Sequence, residues 1–563
     1  MALVSSDLLA LERLYHWEKA APQEVCLTQP LGGGRMQDYT WAQVADQVRR
    51  MAAHLKAQGW EPGSNVAILS KNCAWWLMSD LAIWMAGHVS VPLYPTLAPD
   101  TIAHILTHSE AKACFVGKLD AWEHMRPGVP AGLPCIGYPL SPPEVSAAHE
   151  GWDALCARQA PLAGEPMRGA DELATLIYTS GTTGRPKGVM QSFGNFAWAI
   201  RAGIQRIGMT HEDRMLSYLP LAHVVERVLV EHGWLATGMR LWFAESLDTF
   251  TADLQRARPT IFFSVPRLWV KFQQGVHHKM PPARLQLLLS LPLVGGLVRK
   301  KVLRALGLDQ CRIAAGGAAP MPPVLLAWYR RLGLPINEGY GLTENLAVSH
   351  LTLPGKNQQG TVGPTYEGVE DRIDPKTGEI QMRSPALMLG YYKDPVQTRA
   401  AFTEDGWLRT GDKGLIDAQG NLHITGRVKD LFKTSKGKYV APAPIEDKLV
   451  MHEAVEACVV TGANLGQPLG IVMLNAEAAA RARDSAARMA LQASLNQHLD
   501  TVNAALDPHE RLKCIVIVTT AWSVDNDIIT PTFKVKRNRI EELYSASYER
   551  WEASGEKVLW QEG

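Results

Sequence analysis

The sequence lacks the features that mark several large protein classes. None of its 8 cysteines forms a Cys-x-x-Cys pair, which argues against a zinc ribbon, close-spaced iron–sulfur ligation and a dense disulfide scaffold. No stretch of about 18 apolar residues occurs, so we expect no membrane-spanning helix. The first residues contain no basic segment followed by an apolar run, so we predict no signal peptide and a cytoplasmic location.

An excess of charge of either sign is also missing. Lys and Arg number 57 and Asp and Glu number 56, which gives a net charge of +1. This balance provides no global attraction for nucleic acid, and we expect no nucleic-acid partner. The chain is 20% charged and 46% hydrophobic, which is typical of a folded protein with a large core. At roughly 150 residues per domain, its length provides for two to four domains.

Helical and strand-like segments alternate through the first part of the chain. Thr40 and Gln43 can form a capping box, and apolar residues then recur at helical spacing as far as Leu55. Residues 66–69 and 113–116 have the composition of buried strands. This alternation predicts an α/β fold whose large N-terminal domain has parallel-rich sheets layered with helices.

The pattern changes near residue 405. Asp405-Gly406 and Gly420-Asn421 are turn signals between short apolar runs, which predict the hairpins of a β-rich subdomain. The apolar runs of the last part of the chain predict a small α+β unit. We place the boundary at Lys429, which gives a large domain over residues 1–428 and a small domain over residues 429–563.

Residues 175–189 form the strongest local signal. Apolar residues lead into a loop of hydroxyls and glycines that ends with a single lysine, and such a loop can direct backbone N–H groups at an anion. Its spacing excludes a Walker A loop. A plain connection is the alternative to phosphate binding. The candidate phosphate-binding residues are Thr179, Ser180, Gly181, Thr182, Thr183, Gly184 and Lys187.

Residues 178–188 resemble the phosphate-loop motif of the AMP-forming adenylating enzymes, which include acyl-CoA synthetases, adenylation domains and beetle luciferases. Four further segments resemble motifs of that superfamily and follow in its order: 337–344, 409–412, 426–430 and 530–537. Residues 219–227 and 430–442 resemble the long-chain fatty acyl-CoA synthetase branch. The chain is therefore identified as a member of the superfamily. It departs from many relatives at Thr532-Phe533, just before the lysine of the last motif.

The resemblance implies two half-reactions. A carboxylate attacks the α-phosphate of ATP and gives an acyl-adenylate and pyrophosphate; the coenzyme A thiolate then attacks the acyl carbon and releases AMP. ATP and coenzyme A are the implied co-substrates, and Mg²⁺ is the implied metal cofactor. Glu344 would hold Mg²⁺, Thr343 would contact the α-phosphate and Tyr340 would stack on adenine. The other implied nucleotide contacts are Gly316, Gly317, Ala318, Glu338, Gly339 and Gly341.

The remaining implied roles belong to residues near the end of the large domain, to residues of the small domain and to His223. Asp412 would accept hydrogen bonds from the ribose hydroxyls, and Arg427 would bridge ribose and phosphate or fix the hinge. Lys534, with Lys536 as its nearest competitor, would contact the substrate carboxylate and the α-phosphate. Lys429 would be the hinge of a mobile C-terminal domain. The predicted coenzyme A contacts are Gly437 and Lys438, and His223 would lie near the junction of the acyl and coenzyme A channels.

Residues 277–304 combine many leucines and valines with six Lys or Arg and no acidic residue. A peripheral membrane contact and a plain amphipathic helical pair are both consistent with this composition.

The leading hypothesis is a long-chain fatty acid–CoA ligase. Transfer of the acyl group to a carrier protein acting in trans, ligation of an aromatic or other bulky carboxylate, and luciferase-type oxidation are the enzymatic alternatives. An inactive membrane-docking homologue is the alternative outside enzymes.

Overall fold

The computed structural model describes residues 8–179, 185–353, 356, 358, 360–530 and 534–561. The chain forms two compact units. The first is built from the residues up to Ala319 together with Leu326–Asp371 and Met382–Leu408. The second consists of Pro320–Leu325, Arg372–Gln381 and the residues from Arg409 onward. The domain boundary at Lys429 stays a prediction.

A seven-stranded sheet organises the first unit. In spatial order its strands are Gly390–Tyr391, Lys187–Ser192, Leu173–Thr179, Val89–Leu93, Asn65–Leu69, Cys114–Val116 and Cys135–Gly137. The pairs from Leu173–Thr179 to Cys135–Gly137 are parallel, and every residue of Asn65–Leu69 is buried. Strands buried on both faces are expected in a parallel sheet that is covered by helices, so the predicted fold class is confirmed.

Two four-stranded sheets complete the β-structure of the first unit. One contains Met36–Thr40, Val25–Pro30, Arg240–Phe243 and Arg214–Ser217; the other contains Ile261–Ser264, Ile313–Gly316, Ile336–Tyr340 and His350–Leu351.

Helices account for much of the rest of this part of the chain. The predicted capping box at Thr40 and Gln43 is present and begins the helix Trp41–Lys56. The other helices up to residue 401 are Ala10–Ala20, Ala74–Met85, Pro99–His108, Trp122–Met125, Pro143–Ala148, Trp152–Arg158, Phe193–Ile207, Val224–Glu226, Gly233–Thr237, Phe250–Ala257, Pro266–Lys279, Pro282–Ser290, Val294–Ala305, Pro323–Arg331 and Pro395–Ala401. Arg227–His232 is a π-helix, and Arg126–Gly128 and Thr343–Asn345 are 3₁₀ turns.

The second unit has its own sheet and core. Its four strands, in spatial order, are Val455–Thr461, Leu469–Leu474, Ile515–Val518 and Val558–Trp560. The predicted hairpin is present as Leu408–Ile416 and Leu422–Arg427, in one sheet with Glu370–Ile373 and Glu379–Arg383, and Phe432–Lys433 pairs with Tyr439–Val440. The helices of this part are Pro442–Leu449, Ala476–Arg481, Ser485–Ala504, Arg537–Tyr544 and Tyr548–Ala553, with a 3₁₀ turn at Ser545–Ser547.

All eight cysteines are free, and six of them are buried, where a thiol acts as a small apolar side chain. Within the described residues, no helix combines the length and the apolar character that crossing a membrane requires.

A buried polar network follows the strand Arg214–Ser217. The Glu226 carboxylate accepts hydrogen bonds from Ser217 Oγ at 2.8 Å, the Tyr218 N–H at 3.0 Å and Asn72 Nδ2 at 3.1 Å. Burial raises the pKa of Glu226 to about 8. The side chain therefore holds its proton at neutral pH and can act as a neutral hydrogen-bonding group in the core.

We expect the Glu226 proton to make stability depend on pH. The unfolded group titrates near its ordinary pKa of 4.5 and the folded group near 8. Its contribution is therefore complete below pH 4.5 and is lost as pH rises towards 8, by up to about 1.4 kcal/mol per pH unit. Glu226→Gln, which cannot titrate, should gain stability relative to the wild type across this window. Urea unfolding at several pH values measures the difference, with exposed Glu144→Gln as the control. A constant difference would contradict the assignment.

Candidate active site

The predicted phosphate loop lies between two paired strands. Leu173–Thr179 and Lys187–Ser192 are antiparallel, and Thr179 pairs with Lys187 at the end of the hairpin. Five of the predicted phosphate contacts, Ser180, Gly181, Thr182, Thr183 and Gly184, lie outside the described residues. The hairpin thus brings the two ends of the loop together.

Tyr391 connects the predicted phosphate lysine to the predicted metal ligand. Its hydroxyl donates a hydrogen bond to Glu344 Oε1 at 2.8 Å. The Lys187 ammonium lies 5.1 Å from the centroid of the Tyr391 ring, a distance at which cation–π attraction is effective. Lys187 Nζ also donates to Gln397 Oε1 at 2.8 Å. A cation and a carboxylate are therefore oriented through one aromatic side chain.

The position of Tyr391 is fixed by strand pairing. Tyr391 lies opposite Val189 on the hairpin strand, and its N–H donates to Thr398 Oγ1 at 2.9 Å. Burial, reinforced by the negative charge of Glu344, raises the pKa of the Tyr391 hydroxyl. The hydroxyl therefore stays protonated and acts as a donor. Tyr391 was not predicted as a site residue, because its role depends on pairing between segments that are distant in sequence. The only local sign was the adjoining Gly390, a residue typical of turns.

The turn that carries Thr343 and Glu344 is anchored to the same sheet. Gln191 Nε2 donates to the Thr343 carbonyl at 2.8 Å, and the Met388 N–H donates to the Glu344 carbonyl at 2.7 Å. A Cβ atom on Gly341 would lie 2.4 Å from the backbone carbon of Ala347, so this position requires glycine. These backbone contacts therefore fix the position from which the Glu344 side chain extends.

The predicted adenine contacts cluster on two neighbouring strands. Gly316 pairs with Glu338 in the parallel strands Ile313–Gly316 and Ile336–Tyr340. A Cβ atom on Gly317 would lie 3.0 Å from the Gly339 carbonyl oxygen. Ala318 is exposed and has a φ of +67°, and this left-handed backbone is strained for a residue other than glycine.

Tyr340 and His223 have identifiable structural surroundings. The Tyr340 ring lies 6.2 Å from the His350 ring. His223 precedes the helix Val224–Glu226, and its Nδ1 accepts a hydrogen bond from the Val225 N–H at 3.3 Å. His223 therefore caps a helix, and its position near an acyl channel stays a prediction.

In the second unit, Asp412 and Arg427 face each other across a hairpin. They are register partners, and Arg427 Nε donates to Asp412 Oδ1 at 3.0 Å. Asp412 is 6% exposed. The Gly411 N–H just before it donates to Glu379 Oε1 at 2.9 Å. The hairpin thus holds the two predicted ribose-binding residues in contact.

The other predicted residues of the second unit lie at the surface. The Lys534 N–H donates to Thr530 Oγ1 at 3.1 Å, and the Thr530 N–H donates to the Lys534 carbonyl at 2.8 Å. Lys429 is an exposed turn residue. Gly437, at φ +75°, and Lys438 form the exposed turn between the strands Phe432–Lys433 and Tyr439–Val440. The roles of these residues stay predictions.

The arrangement around Glu344 fits Mg²⁺ as a nucleotide-bound ion. Among the described residues, no group of three or more His, Cys, Asp or Glu side chains is placed to hold a metal. Mg²⁺ commonly takes one or two carboxylates together with water and substrate phosphate oxygens. The half-buried Glu344 carboxylate, oriented by Tyr391, meets that requirement.

Two family models match the chain. The model described as AMP-binding enzyme matches residues 14–392, and the model described as AMP-binding enzyme C-terminal domain matches residues 429–552. Long chain acyl-CoA synthetase 6, peroxisomal, of Arabidopsis thaliana is 30% identical, over 91% of this chain and 81% of its own. The long-chain-fatty-acid–CoA ligase FadD15 of Mycobacterium tuberculosis is also 30% identical, over 95% of this chain and 96% of its own.

Solved structures share the fold at lower identity. The anthranilate CoA ligase AuaEII in complex with anthranoyl-AMP superposes with a TM-score of 0.76 at 21% identity, covering 95% of this chain and 98% of its own. The A domain of a carboxylic acid reductase from Segniliparus rugosus, in complex with AMP, gives a TM-score of 0.79 at 22% identity, covering 98% and 95%.

We expect Tyr391→Phe to weaken the use of Mg²⁺. The variant keeps the ring beside Lys187 but loses the hydrogen bond that orients Glu344. The Mg²⁺ concentration for half-maximal ATP-dependent pyrophosphate release should rise about fivefold or more, as expected for losing a charge-assisted hydrogen bond. Tyr392→Phe is the matched control, because the Tyr392 hydroxyl accepts a long, 3.4 Å hydrogen bond from Asn65 Nδ2 rather than orienting Glu344. An unchanged Mg²⁺ requirement in Tyr391→Phe would show that Glu344 is oriented without the hydroxyl.

Proposed function

This chain belongs to the AMP-binding enzyme family and is an AMP-forming acyl-CoA synthetase, and we propose that it joins a long-chain fatty acid to coenzyme A. The observation that carries the proposed chemistry is the shared contact of Lys187 and Glu344 with Tyr391, beside the hairpin that leads into the predicted phosphate loop. The length of the acyl chain is supported by the curated relatives, which match over most of this chain.

The proposed first half-reaction needs positive charge around the phosphates rather than a covalent catalyst. Lys187 would neutralise phosphate oxygens, and Glu344 would hold Mg²⁺, an ion that would supply further positive charge beside the phosphates. Thr343 would position the α-phosphate through its hydroxyl. Both groups contact Tyr391, so we propose that this side chain orients them together towards the nucleotide.

The second unit would supply the remaining contacts. Arg427 orients the Asp412 carboxylate, which is suited to accept hydrogen bonds from two ribose hydroxyls. Lys534 would balance charge between the attacking carboxylate and the α-phosphate. The first half-reaction needs Lys534 beside the α-phosphate, and the second needs the same space for the pantetheine arm of coenzyme A. We therefore propose that the second unit turns about Lys429, so that the Gly437–Lys438 turn takes the place of Lys534. The buried free thiols fit the reducing cytoplasm, where we place the enzyme.

A bulky aromatic carboxylate is the second candidate substrate. Structural neighbours include an anthranilate CoA ligase and a benzoate CoA ligase, at 21% and 22% identity. The A domain of a carboxylic acid reductase is a further neighbour, so carrier-protein transfer stays the alternative second step. The fatty acid is favoured because the relatives at 30% identity are named for long-chain substrates.

A panel of carboxylates with ATP tests the substrate and the acceptor separately. We expect long-chain fatty acids to give both pyrophosphate and thioester in the presence of coenzyme A, with kcat/KM at least about tenfold above acetate or benzoate. A hydrophobic pocket gains affinity with each buried methylene, so a preference of this size needs only a few of them. Pyrophosphate without thioester would favour a carrier protein, and a preference for benzoate or anthranilate would replace the proposed substrate.

Lys534→Ala should separate the two half-reactions. We expect acyl-adenylate formation to fall at least about 100-fold, the usual effect of removing a charge that stabilises the transition state. Thioester formation from supplied acyl-adenylate should change little. Lys536→Ala is the matched control, because the Lys536 ammonium is engaged in an ion pair with Asp527. Equal losses in both half-reactions, or a larger loss in the control, would contradict the role of Lys534.

A further inference from the structure

Two helices of the first unit, Pro282–Ser290 and Val294–Ala305, form a hairpin with an apolar tip. Five large apolar side chains are exposed within this tip. They are Leu287 at 62%, Leu291 at 41%, Leu293 at 90%, Val294 at 39% and Leu297 at 70% exposure. We refer to these five residues as the tip patch. A contiguous apolar surface of this kind commonly marks an interaction site.

The hairpin is a built element rather than a loose segment. The two helices contact each other, and each contributes one buried apolar side chain, Leu285 and Val302. A Cβ atom on Gly295 would lie 2.6 Å from the Leu289 carbonyl oxygen, so the close approach of the two helices requires glycine.

Leu293 stands at the turn of the hairpin with an unusual backbone. Its φ is +65°, a region in which a residue with a large side chain is strained. The strain is not compensated by burial within the protein, because this leucine is almost fully exposed. A partner that covers the leucine would account for both features.

Basic side chains lie behind the tip patch on both helices. Residues 254–308 contain ten Lys or Arg and no Asp or Glu. Arg284 precedes Leu287 by one helical turn, and Lys300, Lys301 and Arg304 follow Leu297 at spacings that place them on one face. At 1.5 Å per residue, the basic groups sit about 5–10 Å behind the apolar residues along the helix axis.

We propose that this hairpin docks on an anionic lipid bilayer. The tip patch would enter the boundary between headgroups and acyl chains, and the basic residues would meet the lipid phosphates. Amphipathic helices bury their apolar face about 5–10 Å deep in this boundary, which matches the spacing between the two sets of side chains. A second copy of the chain is a poorer occupant, because a twofold contact through the tip would bring the basic residues of two hairpins, such as Lys300 and Lys301, near one another.

Vesicle binding by the full-length chain tests the proposal without relying on its enzymatic activity. We expect binding to phosphatidylcholine vesicles that contain phosphatidylglycerol, weaker binding to pure phosphatidylcholine, and release by salt because charges contribute. Leu293→Glu should reduce the partition coefficient at least about tenfold, since it places a charge in the apolar boundary. Leu247→Glu is the matched control, because Leu247 is 91% exposed at a site outside the hairpin. Equal binding by the wild type and Leu293→Glu would overturn the proposal.

Charge reversal provides a second variant. Lys300→Glu with Lys301→Glu should remove the preference for phosphatidylglycerol while leaving weak binding to phosphatidylcholine. Lys300 and Lys301 are exposed, so we expect this variant to fold. Thermal unfolding of each variant checks that it is folded. A dimer that forms without lipid, depends on Leu293 and fails to bind vesicles would overturn the bilayer in favour of a second copy. Failure of the wild type to bind vesicles, with thioester formation intact, would refute this surface and leave the proposed ligase activity standing.

Discussion

A guanidinium with no access to solvent holds together the interior of the first unit. Arg227 is fully buried and donates to Asp80 at 2.5 Å, to Glu231 at 2.7 Å and to Thr175 Oγ1 at 3.2 Å. Burying such a charge is costly unless it is paired and hydrogen-bonded. Separating the helix Ala74–Met85 from the π-helix Arg227–His232 would leave buried charges without a partner, and separating the strand Leu173–Thr179 would remove one hydrogen-bond acceptor from the guanidinium.

That constraint reaches the candidate active site through the strand. Thr175 contacts the guanidinium, and Thr179 ends the same strand where it pairs with Lys187. The rings of Trp76, Trp84 and Phe196 also surround the guanidinium at 5.2–5.6 Å. Burial raises the pKa of both carboxyl groups, Asp80 and Glu231, while the charge of Arg227 lowers it. A fully buried, internally paired cluster thus supports a hairpin whose loop is proposed to meet a highly charged ligand.

The features of the fold that could be predicted are those that depend on local sequence patterns. Features that depend on pairing between distant segments could not be predicted. The capping box at Thr40, the strands near residues 66 and 113 and the hairpin after residue 405 depend on neighbours in sequence, and all are present. The five motifs are also local in sequence, and the family that they indicated is the one whose models match the chain. The roles of Tyr391 and Asp80 depend on partners far away in the chain. Composition alone also left open whether the apolar residues of 277–304 are buried, which only their packing decides.

The charged residues of the proposed reaction are divided between the two units. Lys187 and Glu344 both contact Tyr391 within the first unit. They would bind the phosphates and the metal ion in both half-reactions. Lys534, whose charge would be needed only while the carboxylate attacks phosphorus, belongs to the second unit. Because a preorganised site cannot serve two reactions with different geometries, the proposed placement of the variable contacts on a separate compact unit would let them change while Glu344 and Lys187 keep their positions.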